Sequence, residues 1–382
     1  MRPNQQPLSG PCAVIAILLI SSLTIWAQPV IDLSASDEAL LDSLCQVHVA
    51  EGQLPGFAVG IVSKGKVLYA KGFGVKNLDT KDPVTTSSIF HLASISKTFV
   101  GTGIAQLVEK GKIDLDDPVT KYLPYFQLKD PRYKDITIRH LVTHSAGVPD
   151  VMNYHWNKPK YDDEALEGQV RSLKSKGLNF EPGTDFKYSN NGFEVLGDVI
   201  AKASGMSFED YMKTQIMTPI GMSNSTFFKP DVPQELATSP HIKRAKMKVS
   251  DVYPYNREHA PSSTLNANID EMVKYALAYL NKGSYDGKAI FSEATYELLT
   301  TRQREFDEVR GIGVSWFVGP ASWRGDDGIR IQHSGGDRGY RSWIGILPEK
   351  SWAMITLYNC DWKIPPTDAI FDTAYEMAER YD

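Results

Sequence analysis

Phe57-Ala58-Val59-Gly60-Ile61-Val62 and Val67-Leu68-Tyr69-Ala70-Lys71-Gly72-Phe73 are two apolar runs, joined by Ser63-Lys64-Gly65-Lys66. β-Branched and aromatic residues on either side of a polar, glycine-bearing turn predict a hairpin, and a hairpin pairs its strands antiparallel. The far end of the chain has the same layout. Trp343–Leu347 and Trp352–Tyr358 bracket Pro348-Glu349-Lys350-Ser351, and a helical pattern follows from about Thr367 to Arg380. Ahead of the first hairpin, Ser36 is placed to cap a helix over about Asp37–Val49, with Leu40, Leu44 and Val47 on one face. Both ends therefore read as parts of one antiparallel sheet flanked by helices.

The interior reads as helical. Ser94–Lys110 carries apolar residues at Ile95, Phe99, Ile104, Leu107 and Val108, and Gly111 is placed to end it. Further helices are expected over Asp163–Lys176, Asn191–Ala203, Phe208–Met217, Ile269–Asn281 and Glu293–Thr301, with Ser207 and Asp210 forming a capping box. Residues 226–262, with Pro230, Pro233, Pro240 and Pro254, read as a long loop over one face. The expected class is α+β: a sheet lobe of about residues 28–93 and 302–382, and an inserted all-helical lobe of about 94–301. The two lobes count as one domain, 28–382, and a small-molecule site is expected in the cleft between them.

Composition narrows the partners. A net charge of −5 without a basic stripe argues against nucleic acid. Arg2 followed by the apolar run Ala13–Ala27 has the layout of a secretory signal, with cleavage after Ala27, so the mature protein is expected in the periplasm or outside the cell. Any tie to a membrane would run through that segment if it stays uncleaved. Cys12 leaves with the signal. Cys45 and Cys360 then have two readings, a disulfide between the chain ends or two buried thiols.

An exported hydrolase without a metal uses an activated nucleophile, so each serine motif is weighed. Thr143-His144-Ser145-Ala146-Gly147 lacks the first glycine of a nucleophile elbow, which leaves Ser145 weak. Ser-x-x-Lys occurs twice. Ser63 and Lys66 flank the hairpin tip, where solvent keeps a lysine protonated. Ser94 opens an apolar helix with Lys97 one turn on, so a buried amine would face the hydroxyl and take its proton. Backbone N–H groups at that terminus would stabilise an oxyanion. Tyr188-Ser189-Asn190 stands just before a helix, where a tyrosine is free to relay a proton and an asparagine to bond lysine and a substrate amide. His333-Ser334-Gly335-Gly336 precedes the C-terminal strand pair, and its glycines would let an extended substrate approach. His140 and His144 stand at i and i+4 but lack a third ligand and a paired glutamate, so no metal and no cofactor is assigned.

Taken in order, Ser94-Ile95-Ser96-Lys97, Tyr188-Ser189-Asn190 and His333-Ser334-Gly335 resemble the serine β-lactamase and penicillin-binding-protein superfamily, in particular its class C-like branch of D-Ala-D-Ala carboxypeptidases and esterases. The similarity extends over about Gly56 to Tyr358. It implies that Ser94 is acylated, that Lys97 and Tyr188 share acid–base duty, and that Asn190 holds a substrate amide. It also implies that His333 and Ser334 meet a substrate carboxylate and the proton network, and that the amides of Ser94 and Gly336 form the oxyanion hole. Many β-lactamases carry lysine where this chain has His333, which favours carboxypeptidase or esterase chemistry. The implied substrates are a peptidoglycan stem peptide, a β-lactam or an ester. The alternative is a receptor that binds peptidoglycan or β-lactam in the same cleft and deacylates slowly or not at all.

Overall fold

A computed structural model describes residues 30–50, 54–321, 328–362, 364 and 366–381. The signal expected over residues 1–27 lies outside the described residues. The hairpin read from the sequence forms as β1 (Gly56–Ser63) and β2 (Lys66–Gly74). The chain later supplies β3 (Arg304–Glu305), β4 (Gly311–Ile312), β5 (Phe317–Pro320), β6 (Ile329–Asp337), β7 (Tyr340–Leu347) and β8 (Trp352–Tyr358). Together they make one antiparallel sheet in the order β2-β1-β8-β7-β6-β5-β4-β3. Strand β1 pairs directly with β8, Phe57 opposite Tyr358, so an early and a late strand of the chain meet as the second and third strands of the sheet.

The helices used below are α1 (Ala35–Gln46), α2 (Ser96–Glu109), α3 (Asn190–Ser204), α4 (Ile269–Leu280) and α5 (Asp368–Ala378). Strand β1 is buried along its whole length because both sheet faces are covered. Alternate side chains divide between two cores. Ala58 and Val62 face the helical lobe with Ile344 and Ile355. Phe57, Val59 and Ile61 face the opposite way, with Leu41 of α1 and Phe371 of α5. A Cβ on Gly60 would lie 2.5 Å from Val273 and 2.9 Å from Ile269, so this glycine is what lets α4 lie close on the sheet.

Several expectations shift. The first helix is capped by Ser34, whose side chain accepts from Asp37 N, and not by Ser36. Ser207 accepts from Asp210 N, but the aspartate arm closes on the serine's own hydroxyl, so half of the capping box forms. The helical lobe is not all helical. Residues 226–262 hold a small ribbon, His241–Lys243 with Met247–Val249, and close on a short helix, Ala260–Ser263. A second ribbon, Ser284–Tyr285 with Lys288–Ala289, lies further on. Cys45 and Cys360 are both free and buried, which decides for two thiols over a disulfide. Ser63 is buried rather than exposed, and sits directly opposite Lys66 in the hairpin register.

Candidate active site

Ser94 stands on a single 3₁₀ turn, Ala93–Ile95, that leads into α2. Ala93 holds φ at +48°, a left-handed conformation that costs a non-glycine residue about 1–3 kcal/mol. Neighbouring bonds hold this turn in place. Leu92 N donates to Leu265 O at 2.8 Å, and Leu92 O accepts from Ser342 Oγ at 2.7 Å. A Cβ on Gly335 would fall 2.2 Å from Leu92 O and 3.1 Å from Ser94 N, so only glycine allows β6 to abut the turn.

One turn after Ser94, as the second residue of α2, Lys97 is completely buried. Its Nζ lies 3.1 Å from Ser94 Oγ, 2.7 Å from Asn190 Oδ1 and 2.7 Å from Ser262 O. Two N–H groups are thus absorbed by Asn190 and Ser262. The third direction of the nitrogen faces the serine, as a lone pair in the neutral amine and as an N–H once it has gained a proton. Asn190 is the first residue of α3, not a loop residue, with Ser189 as N-cap accepting from Gly192 N. Its amide is oriented from both ends: Oδ1 takes the lysine, and Nδ2 donates to Asp150 Oδ1 at 2.9 Å. Among the described residues the other N–H of that amide meets no acceptor, which leaves it for a substrate oxygen.

Tyr188 lays its half-exposed ring over the same amine, 4.9 Å from Nζ to the ring centroid. Behind it stacks His144, at 4.2 Å and 28°. His144 Nδ1 accepts from Ser189 N at 3.1 Å, so its proton resides on Nε2. Burial, reinforced by Lys97 and His333, holds this imidazole well below the ordinary histidine range. His140 turns to a different partner, accepting from Thr137 N, so the i,i+4 pair serves two separate backbone contacts. Ser145 is buried, its hydroxyl paired with Thr143 Oγ1 at 2.9 Å.

Of β6, only Ile329–Gln332 pairs with β5, so among the described residues His333–Asp337 has a strand neighbour on one side alone, β7. His333 is buried on the face it shares with Ile331, toward the helical lobe. Its Nδ1 donates to Ser334 O at 2.8 Å, while Nε2 has no partner among the described residues. Burial first, then the charge of Lys97, pushes its pKa down to about 3, so the ring is neutral. Ser334 alternates to the other face, that of its register partner Trp343. Among the described residues no hydrogen bond joins its hydroxyl to Ser94, Lys97 or Tyr188. Gly336 follows on the same segment, paired with β7 alone. The structure thus gathers Ser94, Lys97, Tyr188, Asn190 and His333, brings β6 with Gly336 alongside, and leaves Ser334 exposed, without a hydrogen bond to that set among the described residues.

A family model described as Beta-lactamase matches residues 41–374. The chain belongs to the beta-lactamase family. Within it, the chain is 36% identical over 366 residues to Penicillin-binding protein 4* of Bacillus subtilis (strain 168), covering 89% of this chain and 73% of that protein. It is 22% identical to Protein flp of Staphylococcus aureus (strain COL) over 87% of this chain and 65% of that one. An octameric penicillin-binding protein homologue from Pyrococcus abyssi superposes with a TM-score of 0.75 at 27% identity, over 90% of this chain and 77% of that one. A class C beta-lactamase superposes at 0.73 with 19% identity, over 90% and 96%, a likeness of fold alone. This beta-lactamase-family chain is a serine hydrolase of the superfamily that includes the penicillin-binding proteins.

Other polar groups of the site were not singled out in the sequence. Asp150, which orients Asn190, follows a proline in a stretch with no catalytic spacing. Ser262, whose carbonyl holds Lys97, belongs to the stretch read as loop. Glu194 did leave a trace: it stands four residues after Asn190, a charge inside the apolar run Phe193–Leu196, and is fully buried.

Proposed function

We propose that this chain is an exported hydrolase that cleaves ester or amide bonds through an acyl-enzyme on Ser94, of the D-Ala-D-Ala carboxypeptidase or esterase type. The observation that carries the reading is the buried Lys97 amine at 3.1 Å from Ser94 Oγ, with its other directions occupied by Asn190 and Ser262. Lys97 accepts the serine proton as Oγ bonds to the substrate carbonyl carbon. The carbonyl oxygen gains the negative charge, which the N–H groups of Ser94 and Gly336 meet. Collapse breaks the bond to the leaving oxygen or nitrogen, which takes the proton by way of Lys97 and Tyr188. Water then attacks the ester on Ser94 and gives its proton to the same pair, and the free acid and the serine hydroxyl are restored.

The neutral His333 supports the choice of branch. A substrate carboxylate, whether of a β-lactam or of a D-Ala-D-Ala peptide, would meet no fixed positive charge from the imidazole, which weighs toward the esterase arm of this reading. Turnover of a nitrophenyl acyl ester is expected for wild type and absent in Ser94→Ala; equal rates in the two would refute the assignment. A panel of D-Ala-D-Ala peptide, nitrocefin and short-chain esters, compared by kcat/KM, ranks the substrates. A stable penicillin adduct on Ser94 without turnover of any of them would instead identify a receptor. Export is tested by the N-terminus of the mature protein, expected at Gln28.

A further inference from the structure

We propose that Ser262 and Ser263 form a two-sided clamp that sets the general base against the oxyanion strand. The inference rests on the acyl-enzyme reading above and adds positioning residues to it. The two serines end the short helix Ala260–Ser263 and are both buried. Their side chains go to opposite lobes.

Ser262 Oγ donates to Glu194 Oε1 at 2.7 Å, and His259 Nδ1 approaches the same oxygen at 3.1 Å. Glu194 sits one turn beyond Asn190 on α3, so both residues share a helix face. The helix therefore holds Lys97 twice: directly through Asn190 Oδ1, and indirectly through the serine whose carbonyl receives the amine at 2.7 Å. Ser263 Oγ donates to Asp337 Oδ2, which also meets His91 Nε2 at 2.8 Å. Asp337 ends β6 directly after Gly336, on the segment that β5 leaves without a partner. These three groups are not a nucleophile triad, because serine and histidine both address the carboxylate and the structure shows no bond between them.

The same segment also grips the nucleophile turn. Leu265 N donates to Ser96 Oγ at 2.9 Å, Leu265 O accepts from Leu92 N, and Asn266–Ala267 pairs with Phe90–His91. Residues 262–267 thus touch the nucleophile turn, the lysine, the asparagine helix and the oxyanion strand in succession. A buried carboxylate relies on such donors, and losing one leaves it partly unsatisfied and free to shift. A shift of about 1 Å at a reacting group is enough to cost roughly 10²-fold in rate.

The test is steady-state kinetics on the nitrophenyl ester with Ser262→Ala, Ser263→Ala and Glu194→Gln, beside rates of Ser94 labelling by a fluorophosphonate. Ser262→Ala keeps the carbonyl that receives Lys97 and removes the link to Glu194, together with a long 3.4 Å contact to His259 O within the same turn. Each alanine variant is expected to lose about tenfold or more in kcat with KM within about twofold, and to label more slowly. Ser262→Thr, which retains the hydroxyl, is expected to recover most of the rate. Ser262→Ala combined with Glu194→Gln should lose no more than the worse single variant, since both cut one link. If both alanine variants fold and keep kcat within twofold, or lose only in KM, the clamp is overturned while the acyl-enzyme reading stands. Should Ser262→Ala fail to fold, Ser263→Ala, which leaves His91 on Asp337, decides by the same criteria. A wild type no more active than Ser94→Ala overturns the acyl-enzyme reading and the clamp with it.

Discussion

His333 shows how one buried ring couples the site to acidity. Its pKa of about 3 in the fold lies below the ordinary histidine value near 6.5, so between those limits the unfolded chain binds a proton that the folded chain refuses. Stability from this residue is complete above about pH 6.5 and falls as pH drops toward 3. At pH 5 the loss is on the order of 2 kcal/mol. Asp198 works in the opposite sense, because burial raises its carboxyl to about 6 and favours the fold when protonated. The clean measurement is therefore a difference: thermal melts from pH 7 to 5 should fall less steeply for His333→Gln than for wild type. A second residue-scale prediction concerns Asp150. Asp150→Ala frees the Asn190 amide and should cost about tenfold or more in kcat/KM on the nitrophenyl ester, while Asp150→Asn, which keeps an acceptor oxygen, should cost less. The sequence displayed Ser94, Lys97, Tyr188 and Asn190 because their chemistry fixes spacing along the chain. It hid Asp150 and Ser262 because they act across space, one through an orienting carboxylate and the other through a backbone carbonyl that any residue possesses.

Helices and strands were readable where periodicity and end signals agree. Strand β1 and helix α4 have their expected positions because apolar runs and polar boundaries coincide. The start of α1 was less readable, since Ser34 and Ser36 are both capping residues and only the backbone angles choose between them. Ser34 has extended angles, and its oxygen reaches Asp37 N. The ribbon at His241–Lys243 was missed because its strands are short and lie among prolines. Two element-scale predictions follow from packing. Ser189→Ala removes the cap of α3 and should lower stability by about 1 kcal/mol, read from denaturant midpoints. Gly60→Ala places a methyl group against Val273 and Ile269, and overpacking of this kind should cost about 1–3 kcal/mol.

At the scale of the molecule, one sheet carries two cores, and its outer core gathers α1 and α5. Cys45 and Cys360 are both part of that outer core. Burial pushes their thiols up, to about 12 for Cys45 and about 11 for Cys360, so neither offers a thiolate near neutral pH. A thiol-reactive dye should leave Cys45 and Cys360 of the native protein unlabelled and react with both only as global unfolding proceeds; fast labelling of either in native buffer would contradict the packing. The sequence suggested that both ends join one sheet, yet gave no measure of how tightly, because pairing across such a distance leaves no local pattern. That pairing has a temporal consequence. A chain made from its N-terminus presents β1 roughly 300 residues before β8 exists, so its open edge waits through nearly all of synthesis. Contacts this remote close slowly, and a polypeptide that is still unclosed when it leaves the ribosome exposes that edge to misassembly and to chaperones.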